Sequence, residues 1–381
     1  MADVHVVMSL DQLGEHAEAW DRLAMASADR LPMLSHAWVS SFLEHRTVDG
    51  SPWQCFLAYE SAELVGVLPL VGERGGVLPR MQGPADSHTA SAYPLLAADA
   101  APPTLVALVD AASAQASRLR MRWHRVRETS PVLASLPALE RRWRVLSPLS
   151  SRGSLVPTTG TRSDFEATLH GNFRRNLRKA GNRVAREHAV AFEFVGGEEA
   201  QDPTYLTRFL RVEASGWKGE TGTAIARSPE LVAFYETLTR RLAQRGWLEW
   251  QTMALDGEPV ACHLAVRLGG AVALPKIGYD ERFARFGPGN LLFKELLDRS
   301  FADPATDEVD CLTDQPWHAN WGMPQIGYAE VLVGPRDPVS TTAGLVEMWK
   351  PGTRAYAGSH PRLLEQLRRA QERLDRVRRS G

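Results

Sequence analysis

Residues 247–255, 259–268 and 271–279 are three apolar-rich runs joined through Asp256-Gly257 and Gly269-Gly270. Such dipeptides favour the two-residue primed turns whose twist matches paired strands, so the segment predicts an antiparallel three-strand meander. Pro275 has no N–H to give to a ladder and predicts a bulge or a free edge near Lys276. The third run then leads through Lys276-Ile-Gly-Tyr-Asp-Glu-Arg-Phe-Ala-Arg-Phe-Gly-Pro-Gly-Asn290 into the helix-periodic Leu291-Leu-Phe-Lys-Glu-Leu-Leu297. A strand, a glycine-rich turn and a helix start direct unpaired backbone N–H groups and the positive end of a helix dipole at one place, which suits a phosphate-bearing cofactor.

The rest of the chain is read around that segment. With 381 residues, 44% of them hydrophobic, there is room for about two domains of roughly 150 residues each. Lys+Arg 44 against Asp+Glu 45 gives a net charge of -1, so any nucleic-acid or membrane contact must come from a local patch. Cys55, Cys262 and Cys311 are scattered and lack metal-site or disulfide spacing, which predicts a reducing, cytoplasmic setting and no metal. No export signal or membrane-spanning run is evident. In the first 150 residues the pattern predicts helices over 10–25 and 35–45, a hairpin of strands 54–59 and 64–71, a helix over 103–118, a strand over 121–126, a helix over 132–139 and a strand over 143–146. Residues 147–161 read as a linker and domain boundary. Beyond it, Ser163-Asp-Phe-Glu166 reads as a capping box opening a helix that carries the basic run Asn172-Phe-Arg-Arg-Asn-Leu-Arg-Lys179, Arg183 and Arg186. Asp202-Pro203 and Ser228-Pro229 open two more helices. A helix over 290–301 and strands over 309–312 and 326–333 are predicted to follow, and residues 360–379 read as a basic amphipathic helix.

This order of elements resembles the GNAT acyltransferase fold. More narrowly, Glu213-Ala-Ser-Gly-Trp-Lys-Gly219 with Gly222-Thr-Ala224, Leu255-Asp-Gly-Glu-Pro-Val-Ala261, and Lys276-Ile-Gly-Tyr-Asp-Glu281 with Gly287-Pro-Gly289 look like the cellulose-biosynthesis-associated acetyltransferase family. The motifs cover roughly residues 160–335, and the first 150 residues resemble that family's N-terminal half, a degenerate second copy. The implied architecture is α/β (α+β): tandem GNAT-like domains, 1–150 and 160–340, with mixed, mostly antiparallel sheets flanked by helices, and an extension over 341–381.

The resemblance implies an acyl-coenzyme A donor, acetyl or longer, held by Ile277, Gly278, Arg282, Arg285, Phe286, Gly287, Pro288, Gly289, Asn290 and Leu291. Arg285-Phe-Gly287-Pro-Gly289 is one residue shorter before its first glycine than the usual GNAT turn, a gap Arg282 could fill. Acyl transfer needs a neutral amine, a donor for the developing oxyanion and a proton for the leaving thiolate. The main chain near Lys276 suits the oxyanion and Tyr279 the thiolate. Glu213, His263 and Asp314 are the candidates for general base. Trp217, Lys218, Asp280, Trp317 and His318 are the candidates on the acceptor side, a small-molecule or lipid-like amine bound between the two domains. Each has a structural alternative: a hydrogen-bonded core histidine at 263, a core indole at 217, a loop cap at Asp280, a structural ion pair at Lys276. Two other functions compete, a Fem-like transfer from aminoacyl-tRNA through the arginine-rich helix and a non-catalytic scaffold. Nucleic acid other than that tRNA is not expected. The tail helix suggests peripheral contact with a membrane surface.

Overall fold

The computed structural model describes residues 2–47, 51–73, 79–216 and 224–337. Trp217, Lys218 and the tail helix expected over 360–379 lie outside them. The first half holds β1 (Asp3–Val7), α1 (Leu10–Glu15), α2 (Ala17–Ala26), α3 (His36–His45), β2 (Trp53–Glu60), β3 (Glu63–Gly72), β4 (Arg80–Gln82), β5 (Leu95–Leu96), α4 (Ala101–Ala114), β6 (Arg120–Arg127), α5 (Pro131–Leu139), β7 (Arg144–Leu146) and β8 (Leu149–Pro157). The second holds α6 (Arg162–Thr168), α7 (Gly171–Glu187), β9 (Val190–Val195), α8 (Pro203–Ala214), α9 (Pro229–Gln244), β10 (Leu248–Leu255), β11 (Glu258–Leu268), β12 (Ala271–Tyr279), α10 (Pro288–Ala302), β13 (Glu308–Asp310) and β14 (Gln325–Gly334).

Contacts divide the chain into two units. Unit 1 takes Met1–Asp29, Thr47–Arg152 and the chain from Gly327 on; unit 2 takes Arg30–Arg46 and Gly153–Ile326. The unit 1 sheet runs β1-β2-β3-β4-β6-β14, with β4 and β6 parallel and the other pairs antiparallel. The unit 2 sheet runs β9-β10-β11-β12-β13-β8, with β12 and β13 parallel and the rest antiparallel. The two orders coincide strand for strand, including the place of the single parallel pair.

Turn chemistry builds the unit 2 meander as anticipated. Asp256 and Gly257 take φ 52° and 83°, Gly269 and Gly270 take 56° and 87°, the paired left-handed residues of a primed turn. Two helical layers cover the sheet. Leu177 and Val184 of α7 and Leu292, Phe293, Leu296 and Leu297 of α10 pack in one core with Met253, Ala261, Ala265 and Val309. On α8 Phe209 meets Trp250, and on α3 Trp38 meets Phe234 of α9. Each such buried side chain contributes about 2 kcal/mol, which outweighs the helix-propensity cost of Asn172, Asn176, Gly181 and Asn182 within α7.

The local outcome differs from the sequence reading in four places. The helix expected over 10–25 is two, broken at His16, whose N–H bonds back to Leu13. The helix after residue 160 is capped by Thr161, which accepts from the Asp164 N–H at 3.1 Å, and not by Ser163; it stops where Leu169 turns extended, and α7 starts anew. Residues 147–161 hold β8: the Ser154, Leu155 and Thr158 N–H groups bond to the carbonyls of Thr313, Pro324 and Asp307, partners far away in sequence. Strands β1, β4, β5 and β9 were not anticipated.

Candidate active site

A cleft opens in unit 2 because β12 outruns its parallel neighbour. The two pair only over Ala271–Ala273 against Glu308–Asp310, and β12 continues to Tyr279. Opposite Ala265 of β11, β12 places two residues, Leu274 and Pro275, the bulge that Pro275 predicts. The cleft, of about 550 Å³, has Leu274–Tyr279 on one wall, Cys311–Thr313 on the other, and the start of α10 at its end. On the far wall Leu312 holds φ 60°, a left-handed state that costs a non-glycine residue roughly 1 kcal/mol and recurs at functional sites. Its N–H bonds to Asp310 Oδ1 at 2.7 Å.

The beginning of α10 offers two amide donors, not the five-residue cradle that residues 287–291 suggest. Gly287 is its N-cap at φ 61°, ψ 47°, with no side-chain cap. The Gly287 N–H bonds to the Ala284 carbonyl at 2.9 Å, the Leu291 N–H bonds to the Gly287 carbonyl at 3.1 Å, and Pro288 has no N–H. The N–H groups of Gly289 and Asn290 have no acceptor among the described residues, and both residues line the cleft. With the helix dipole they place about half a positive charge there. The Asn290 side chain is engaged elsewhere, its Oδ1 accepting from Trp321 Nε1 at 3.0 Å.

Glu213, His263 and Tyr279 are among the titratable side chains that border this cleft. Glu213, at the end of α8 and 3% exposed, accepts from the Ile225 N–H at 3.0 Å. Gly278 allows its approach, since a Cβ there would lie 3.1 Å from the Glu213 Cα. His263 on β11 is buried, and burial pushes its pKa down to about 3, so the ring is neutral; Nδ1 lies 2.9 Å from Gln251 Oε1. Burial and then the neighbouring Glu281 raise the Tyr279 phenol, which stays protonated. Its Cδ1 would touch a Cβ on Gly289 at 3.7 Å, so the phenol stands beside the helix start.

Lys276, Ile277, Gly278, Gly287, Pro288, Trp317 and His318 also line the cleft. The His318 ring is structural in its contacts: Nδ1 accepts from the Gln315 N–H at 3.2 Å, the ring donates to the Thr313 main chain, and burial lowers its pKa. The remaining candidates are placed elsewhere. Asp314 accepts from Ser154 Oγ at 3.3 Å and Gln325 Nε2 at 2.9 Å, off the cleft wall. Asp280 is the cap of the 3-10 helix Glu281–Phe286, and the Arg282 guanidinium holds its carboxyl below the usual range. Arg282 is drawn to Asp280 and Glu258, Arg285 to Glu187 at 2.8 Å, and Phe286 and Leu291 are in the core. Cys311, Leu312, Thr313 and Gln315 were not anticipated as wall residues. Their only signal is position, just past the strand predicted to run beside residues 271–279. Among the described residues no helix is long and apolar enough to cross a membrane, and no group of three His, Cys, Asp or Glu could hold a metal.

All of these wall residues fall in one stretch with a recognisable family likeness. Residues 171–318 match the acetyltransferase (GNAT) domain. No curated protein shows significant similarity to the chain. Solved structures resemble this chain in fold. A conserved protein of unknown function from Bacteroides thetaiotaomicron VPI-5482 is 13% identical with TM-score 0.56, covering 88% of this chain and 100% of that one. FemX is 10% identical with TM-score 0.55, covering 86% and 96%. The C-terminal domain of a putative lysylphosphatidylglycerol synthetase from Agrobacterium fabrum is 12% identical with TM-score 0.52, covering 90% and 99%. At such identities the likeness is one of fold: mixed α/β of the GNAT type, with mostly antiparallel sheets flanked by helices.

Proposed function

We propose that the GNAT domain is an N-acyltransferase that moves an acyl group from acyl-coenzyme A, acetyl or longer, to a primary amine by direct attack. The carrying observation is the pair of Gly289 and Asn290 N–H groups without a protein acceptor at the start of α10, facing a cleft that also holds a protonated phenol and a buried carboxylate. The donor's diphosphate sits on those amides, with its thioester along β12. The amine lone pair forms the C–N bond as the C–S bond breaks. Glu213 takes the proton the amine loses and Tyr279 gives one to the thiolate; solvent restores both groups. Arg285 strengthens the diphosphate grip by leaving Glu187, an exposed pair worth at most about 1 kcal/mol. The motif likeness to the cellulose-biosynthesis-associated acetyltransferases supports the same donor. The test is thiol release from acetyl-coenzyme A in the presence of primary amines. Release in the native protein, reduced about 100-fold in Tyr279→Phe with donor affinity retained, supports this reading; no release with any amine sinks it.

One observation favours a second reading. On α7, Arg174, Arg175, Arg178, Lys179, Arg183 and Arg186 are exposed, and none pairs with a carboxylate among the described residues. In a Fem-like transfer this face holds the phosphates of an aminoacyl-tRNA donor. Retention of tRNA with a steep salt dependence, and none of coenzyme A, decides for it.

A further inference from the structure

The sheet beneath the cleft contains a chain of polar side chains that the acyltransfer chemistry above does not use. Arg267 Nε donates to Glu249 Oε2 at 2.8 Å, and Gln251 Nε2 donates to Glu249 Oε1 at 2.7 Å. Gln251 Oε1 lies 2.9 Å from His263 Nδ1, and Gln251 is fully buried. Arg267 is held in turn by Asp303 at 3.2 Å and Thr306 at 3.1 Å.

The direction of these bonds follows from the chemistry of the groups. An ionised Glu249 paired with arginine can only accept, so the Gln251 amide must turn its NH₂ towards it and its carbonyl oxygen towards His263. That oxygen also only accepts, so Nδ1 must carry the imidazole proton. We infer that Gln251, locked by Glu249, is a positioning residue that fixes His263 as the Nδ1–H tautomer, so that the cleft meets Nε2 as a hydrogen-bond acceptor and favours ligands that bring it an N–H. Burial supports the arrangement by keeping the ring neutral. The N–H comes from one of two sources, the amide-bearing arm of an acyl-coenzyme A or the acceptor amine. The ligand half of the inference rests on the acyltransferase reading; the tautomer half does not.

Nitrogen-15 NMR of the histidine-labelled full chain reads the tautomer without any ligand. The native protein shows the His263 proton on Nδ1. Gln251→Met loses the fixed tautomer, and the double substitution Gln251→Glu with Glu249→Gln, which exchanges amide and carboxylate but leaves an acceptor at Nδ1, restores it. One lost hydrogen bond corresponds to about tenfold in affinity. A tenfold weaker Kd for acetyl-coenzyme A in Gln251→Met assigns the N–H to the donor; an unchanged Kd with about tenfold higher KM for butylamine assigns it to the acceptor. A proton on Nε2 in the native protein, or a folded Gln251→Met with both constants unchanged, overturns the inference. A proton on Nδ1 in a native protein that binds no acetyl-coenzyme A upholds the lock and rejects the acyltransferase reading instead.

Discussion

At the residue scale the account depends on Glu213 and on the glycine that lets it in. Glu213→Gln keeps the size and the acceptor for the Ile225 N–H but removes the base, so kcat falls about 100-fold or more while acetyl-coenzyme A affinity is retained. Gly278→Ala acts by geometry alone. Its Cβ meets the Glu213 Cα at 3.1 Å and pushes α8 back by a few tenths of an ångström, which costs about tenfold in kcat when proton transfer requires close alignment. Calorimetry of donor binding beside steady-state rates separates both changes from unfolding. Glu213 and Tyr279 were legible as candidates because motifs carry them, and His263 because of its face on a predicted strand, but their partners were not. A two-residue turn at 256–257 alone would register Gln251 opposite Cys262; a bulge between Met253 and Ala254 moves it opposite His263, a shift no turn dipeptide announces.

At the element scale, α10 makes opposing demands on position 290. Asn290→Asp keeps the acceptor for Trp321 Nε1 and adds a negative charge to the first helical turn. That charge stabilises the helix by about 0.5 kcal/mol but repels a diphosphate, so thermal stability rises slightly while coenzyme A affinity falls about tenfold or more. A rise in both would place the diphosphate elsewhere. The meander, its bulge and α10 were readable because turn dipeptides, proline and helical periodicity are local signals. Strand β8 was not: Ser150, Ser151, Gly153 and Ser154 carry no alternation, and distant carbonyls decide its conformation. Strand β9 could have been found, since Val190, Phe192 and Phe194 alternate with Ala191 and Glu193.

At the scale of the whole molecule, two sheets of one order make two different environments. In unit 1, α4 precedes β6 as α10 precedes β13 in unit 2, but Ala100 is its N-cap and Asp99 comes just before it, so an acidic residue adjoins that helix start. The units also respond oppositely to pH. In unit 1, burial first of all pushes Asp29 up to about 6, against hydrogen bonds from Tyr93 and Ser130. Its contribution is present at low pH and lost as pH rises from about 4 to about 6, by about 3 kcal/mol. In unit 2, His263 at about 3 contributes stability above its unfolded value of 6.5, and about 5 kcal/mol is lost as pH falls from there to about 3. Hydrogen exchange measured at about pH 7.5 and about pH 5 should show unit 2 opening more readily on acidification and unit 1 less; parallel changes in both would contradict these assignments. The central claim is that coenzyme A places its diphosphate on two main-chain amides, and amide NMR of the full chain titrated with acetyl-coenzyme A tests it most directly. The Gly289 and Asn290 resonances should move downfield together as the ligand binds. Binding that leaves those two amides unmoved, or no binding at all, would contradict it.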